Sequence, residues 1–222
     1  LGAGKPASGE KPAALKNISS NTKAMDWQLH SFKDIANPSG TYFLGGYHIE
    51  DVVKAYPELN FSITPNWESS TALDTLLHAP FSGKPVIISY TDTLFRKKFI
   101  NKLVSSKSQV TVVVDSKWRE RYSGRSREDM LKAETLTIEG KEVEFTGLIY
   151  LTAEAVSLVE SLREICCDQN FGNQLLDIVT FYKNKNVSIT FKDVEGDWAE
   201  FNSPTDIANF ILGTKADTLA RL

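Results

Sequence analysis

Two continuous apolar runs constrain the fold of this chain more than any other feature: KPVIISY (84–90) and QVTVVVD (109–115). A strand with one wet face alternates apolar and polar residues, whereas runs like these are buried on both faces. Between them, FRKKFINKLV (95–104) carries its apolar residues at helical spacing. Buried strand, amphipathic helix and buried strand make the repeating unit of a sheet covered by helices on both sides.

The alternation extends along the whole chain. TKAMDWQLHSFKDIA (22–36) predicts a helix capped by Asn21 or Thr22, TYFLGG (41–46) a short strand, and IEDVVKAY (49–56) a helix. LNFSIT (59–64) reads as a strand and TALDTLLHA (71–79) as a helix. The charged KWRERYSGRSREDMLK (117–132) predicts loop and helix; ETLTI (134–138) and FTGLIYL (145–151) predict two sheet segments separated by an EGKE turn. EAVSLVESLREIC (154–166) and FGNQLLDIVTFYK (171–183) follow as helices, and NVSITF (186–191) as a last strand. PTDIANFIL (204–212) closes the series as a helix, with Ser203 as its cap. The expected fold class is α/β with a mainly parallel sheet, and 222 residues suit a single domain over 1–222.

A net charge of −3 gives no electrostatic case for a nucleic-acid or anionic-membrane partner. No apolar run approaches the roughly 18 residues that a membrane span needs. The two cysteines, Cys166 and Cys167, are neighbours, an arrangement that disulfide geometry disfavours, so a reduced, cytoplasmic setting is expected. The opening glycines call for an apolar strand leading into them, so a strand is expected ahead of Leu1.

Ligands of such sheets bind at the carboxyl ends of the strands. There Asp92, in VIISYTDTLF, either holds a hard cation such as Mg²⁺ against phosphates or caps a helix starting near Phe95. Gly2, Ala3 and Gly4 can present backbone N–H groups to phosphates, with Lys5, Lys11 and Lys16 supplying positive charge; the alternative is a plain turn with exposed lysines. Asn66, Ser69, Ser70 and Thr71 either read a base or ribose or cap the next helix through Ser69 or Ser70. Lys117, Arg119, Arg121, Arg125 and Arg127 either grip a phosphorylated substrate or, with the interleaved acids, make a salt-bridged face. Trp67, Trp118, Tyr122 and Trp198 either include a contact for a cationic acceptor or pack in the core. The three histidines have no metal-ligand spacing.

In their order, LGAG…KPAAL (1–15), AMDWQL (24–29), FLGGY (43–47), TPNWESSTALDTLL (64–77), ISYTDTLF (88–95), VVDSKWRERY (113–122), KAETL (132–136), FTGLIYL (145–151) and WAEFNSPTD (198–206) resemble the nucleotidyltransferases that join an NTP to a sugar phosphate or phosphocholine-like phosphate. The resemblance implies a three-layer α/β/α sandwich with a mixed central sheet. It implies Mg²⁺ on Asp92 with Asn202 as second ligand, and catalysis assisted by Lys11. It also implies an NTP held at Gly2–Lys5, Asn66 and Thr71, a phosphorylated small-molecule acceptor near Glu134 and Gly147, and release of pyrophosphate. The chain departs from the family pattern at Ser8, Ala13 and Asn202, where Arg, Lys and a carboxylate are usual. These departures leave a second expectation: a nucleotide-binding or regulatory domain of the same fold with impaired turnover. GTKADTL (213–219) resembles a connecting segment of multidomain proteins, so further domains are expected to follow.

Overall fold

The structure, a computed structural model, describes residues 10–166, 174–200 and 204–219. A 3₁₀ turn (Ala13–Leu15) leads into a small hairpin of β1 (Asn17–Ser19) and β2 (Thr22–Lys23), and α1 (Ala24–Phe32) follows directly. Next come β3 (Tyr42–Gly45) and β4 (Asn60–Ile63), a parallel pair joined by α2 (Ile49–Ala55). After α3 (Ala72–Leu77) come β5 (Val86–Ser89), β6 (Thr93–Phe95), α4 (Lys97–Leu103) and β7 (Val110–Asp115). Two short helices, α5 (Trp118–Arg121) and α6 (Arg127–Met130), precede β8 (Thr135–Ile138) and β9 (Lys141–Leu151). The chain continues through α7 (Ala153–Cys166), α8 (Asp177–Asn184), β10 (Ile189–Asp193), β11 (Trp198–Glu200) and α9 (Pro204–Leu219).

The central sheet runs in the order β10-β7-β9-β5, with β8 added on the first half of β9. It is mixed, as expected. β10 and β7 are parallel, while β9 runs against β7, β5 and β8. The reversal originates at Glu139-Gly140, both at positive φ, a two-residue turn that folds β9 back on β8 and sends it into the sheet head to tail.

Alternation along β7 explains its unbroken apolar run. Val112 and Val114 face Val156, Val159 and Leu162 of α7 and Ile178 and Phe181 of α8. Val113 faces the other way, onto Ile100 and Leu103 of α4, with Phe95 and Trp198. Helices therefore cover both faces, giving the three layers. β3 and β5 stand either side of an apolar cleft of about 680 Å³, which separates the β3–β4 pair from the central sheet.

Several boundaries differ from the sequence expectation. Neither Asn21 nor Thr22 caps α1: Thr22 and Lys23 pair as β2, and the Lys23 N–H donates to Asp26 Oδ2 at 2.7 Å. The helix expected from residue 95 starts at Lys97, because Thr93–Phe95 is held as a strand by β11. The final helix runs on to Leu219 through GTKADTL. Ser203, Cys167 and the first residues of the helix expected over 171–183 lie outside the described residues.

Candidate functional site

Pairing of β6 with β11 builds the centre of the site. Their antiparallel register sets Glu200 opposite Thr93, next to Asp92. Asp92 follows the end of β5 and, contrary to one of the expectations above, does not cap α4, whose N-cap is Arg96. Burial pushes the Asp92 carboxyl up, with the positive charge of Lys16 acting in the opposite sense. Burial first, and then the charge of Asp92, push Glu200 up to about 8. Two half-buried carboxylates held close together repel one another, a cost that a divalent cation between them would remove.

Helix α1 fixes the turn that carries Asp92. Gln28 is buried, and its Nε2 donates to the carbonyls of Tyr90 and Thr93, each at 2.7 Å, one on either side of Asp92. Trp27 Nε1 and Ser31 Oγ both donate to the Phe95 carbonyl, at 2.8 and 3.0 Å. The spacing of these three polar groups within AMDWQLHS places them on the helix face turned towards β6.

Tyr90 links the turn to the expected acceptor residues. Its hydroxyl donates to Glu134 at 3.1 Å, and its N–H donates to the Gly147 carbonyl at 3.0 Å. Gly147 has φ +77, and a Cβ there would stand 2.4 Å from the Tyr90 ring, so only glycine fits. Burial pushes Glu134 up, although the Tyr90 hydrogen bond favours its ionised form. Glu134 and Gly147 thus meet around one tyrosine.

Arg121, on α5, is the hub of the remaining charges. Its Nη2 donates to both oxygens of Glu144, at 2.6 and 2.5 Å, and Nη1 reaches Glu200 at 3.5 Å. The guanidinium lies between the Trp198 ring (4.4 Å) and the Tyr122 ring (4.8 Å). Tyr122 also donates to Glu144. Beneath them the fully buried Asp115 accepts from the N–H groups of Lys117 and Gly196 and from Trp198 Nε1. That carboxylate joins the end of β7 to the start of β11.

Other sequence candidates take other places. Lys11 is exposed, and the lysine whose charge reaches Asp92 is Lys16. Asn66 sits exposed at φ +52, its carbonyl accepting from the N–H groups of Ser69 and Ser70. Thr71, rather than Ser69 or Ser70, caps α3, in a capping box with Asp74. Trp118, Tyr122 and Trp198 are buried in the core. Gly2, Ala3, Gly4, Lys5, Ser8 and Asn202 lie outside the described residues. Sequence reasoning passed over Glu200 and Gln28; the signal for Glu200 was its place in WAEFN, two residues before the expected ligand. Among the described residues, the one group of three His, Asp or Glu residues at metal-ligand spacing, His48, Glu50 and Asp51, is exposed at the start of α2.

This architecture is shared with solved nucleotidyltransferases. Solved structures that share it include one named as a glucose-1-phosphate thymidylyltransferase of Bacillus anthracis (TM-score 0.64, 12% identity, 94% of this chain and 88% of that one), the inositol-1-phosphate CTP transferase of T. maritima (TM-score 0.60, 17% identity, 90% and 84%) and the CTP:phosphocholine cytidylyltransferase of Streptococcus pneumoniae (TM-score 0.60, 13% identity, 92% and 90%). By sequence the chain is similar to a CTP:phosphoglutamine cytidylyltransferase of Campylobacter jejuni, 25% identical over 84% of this chain and 86% of that protein. No family model matches. The nucleotidyltransferase resemblance read from the motifs is therefore supported by a relative and by the fold. No helix among the described residues is long and apolar enough to cross a membrane.

Proposed function

We propose that this protein is a Mg²⁺-dependent cytidylyltransferase that couples CTP to a phosphorylated small molecule and releases pyrophosphate. The observation that carries the reading is the Asp92–Glu200 pair, at the carboxyl end of the sheet, of a fold whose compared relatives include three CTP-named transferases. An acceptor phosphate oxygen would form a bond to the α-phosphorus of CTP while the bond to the β-phosphate bridging oxygen breaks.

The donor set fits the metal: two carboxylates supply hard oxygens, and their mutual repulsion is relieved by divalent charge. When bound, Mg²⁺ would neutralise charge on the triphosphate and on the leaving pyrophosphate. Asp92 and Glu200 would hold it, with Asn202 available as a neutral oxygen donor. Gln28 keeps Asp92 in place through the two flanking carbonyls. Lys16 would add a positive charge on the nucleotide side, with Lys5 and Lys11 as the further cations that the motif resemblance implies. Tyr90 and Glu134 would orient the acceptor, with Gly147 leaving room for the tyrosine ring. Positioning and charge neutralisation supply most of the catalysis of such a transfer, so the chain needs no covalent nucleophile.

The test is pyrophosphate release from CTP and Mg²⁺ across a panel of phosphorylated acceptors, with ATP, GTP and UTP in parallel. Release that depends on CTP, Mg²⁺ and one acceptor class supports the reading. Tight CTP binding with no release across the panel favours the nucleotide-binding domain with impaired turnover.

A further inference from the structure

Beyond the Asp92–Glu200 centre, a cavity of about 800 Å³ opens between α5, α6, β11 and α9. Five cationic side chains line it, Arg96, Lys117, Arg121, Arg125 and Lys132, against three carboxylates. Three of the arginines lie on aromatic rings: Arg96 on Phe210 (4.4 Å), Arg121 on Trp198 (4.4 Å) and Arg125 on Tyr122 (5.0 Å). The faces that would attract a cationic ligand are thus covered by the protein's own cations. Two cationic groups of the lining lack a full set of partners. Lys117, on the rim, makes no ion pair among the described residues. Arg121 has a side chain only 10% exposed, and its Nε has no hydrogen-bond partner among the described residues, although a buried guanidinium N–H without an acceptor is costly. Gly124, with open space where a side chain would project, leaves the loop between α5 and α6 unobstructed.

We propose that this cavity binds a small anion bearing phosphate or carboxylate groups, held by Lys117 together with Lys132 and Arg125, which also pair with Asp129 and Asp206, and seated against Arg121. Carboxylate and phosphate oxygens match the arginine fork and the lysine point charges. Two sources offer that chemistry: the anionic end of the acceptor in the reaction proposed above, or a separate anionic molecule. Only the first rests on that reading. Arg121 also contacts Glu200, so in either case the occupant lies one side chain away from the Asp92–Glu200 pair.

Calorimetric titration of the full chain with inorganic phosphate and with citrate, in EDTA and at fixed ionic strength, tests the site without turnover. Saturable binding that weakens at least tenfold in Lys117→Ala/Lys132→Ala and persists in Asp92→Asn is the expected result. Absence of saturable binding, or binding unchanged by the double variant, overturns the proposal. Circular dichroism and melting of the variants show that they fold. With binding established, steady-state kinetics separate the sources: phosphate that competes with the acceptor places the acceptor in the cavity. Phosphate that binds without raising the acceptor KM identifies a separate ligand. A chain that binds phosphate but never releases pyrophosphate keeps this site and loses the transferase reading.

Discussion

Glu200 stands beside Asp92 because β11 runs antiparallel to β6, with Glu200 opposite Thr93. Residues more than a hundred positions apart thereby form one acidic pair, each member held above its ordinary carboxylate range chiefly by burial. In the proposed site, removing the charge of either member would weaken the hold on a divalent cation. Glu200→Gln is expected to lower kcat/KM by about 10²–10³-fold, the scale of losing one strong electrostatic contact in a transfer of this kind. Thermal melting unchanged within a few degrees would show the fold intact. Activity equal to that of the parent would remove Glu200 from the metal site.

The same pair makes a pH prediction for the metal-free protein. The folded-state value of Glu200, about 8, lies above that of an unfolded-chain glutamate, so the folded chain binds more protons between them. Its contribution to stability is complete below the unfolded value, about 4.3, and is lost as the pH rises towards 8. On the proposed function, Mg²⁺ would bind the ionised pair and so release protons. The melting-temperature increase caused by Mg²⁺ is therefore expected to grow from pH 6 to pH 8.5. An increase independent of pH would separate the metal from Glu200.

Gln28 bridges Tyr90 and Thr93 around Asp92. Gln28→Met keeps the volume and removes the Gln28 donor from the Thr93 carbonyl, at about 1–3 kcal/mol for a buried group, while the Tyr90 carbonyl keeps the Ser89 and Thr93 hydroxyls. Urea denaturation should show that loss. A positioning role further predicts a fall in kcat with the KM for CTP little changed; a drop in stability alone would limit Gln28 to the fold.

Arg121 neutralises the buried Glu144, only 2% exposed. Burial pushes Glu144 up, and Arg121 opposes it. Arg121→Met strands that carboxylate and is expected to cost about 3–5 kcal/mol, as breaking a buried pair does. Arg121→Met/Glu144→Met should recover most of the loss, because neither charge of that pair is then left without the other. A double variant no more stable than the single one would contradict this account.

The layers were legible in the sequence because VVVD and VIIS bury both faces, and periodicity reports burial directly. The β6–β11 pair was not, because Thr93–Phe95 and Trp198–Glu200 are three residues each and too short to show a period. Asp92, Glu134 and Gly147 were expected from the order of the motifs, and the structure brings all three to the Tyr90 turn. Glu200 escaped because its place beside Asp92 depends on a register that only the folded pairing defines. Likewise, Lys16 outranks Lys11 beside Asp92 through the path of the chain after the 3₁₀ turn, which residue spacing does not disclose.

The measurement that tests the central claim most directly is melting of the parent and of Asp92→Asn with CTP, with and without Mg²⁺. A ligand at about a hundred times its dissociation constant stabilises the folded state by ~2.7 kcal/mol, a rise of several degrees for a chain of this length. The account predicts that rise for the parent with CTP and Mg²⁺ together, and its loss in Asp92→Asn. Equal rises in both proteins, or none in the parent, would contradict a nucleotide and metal site built on Asp92 and Glu200.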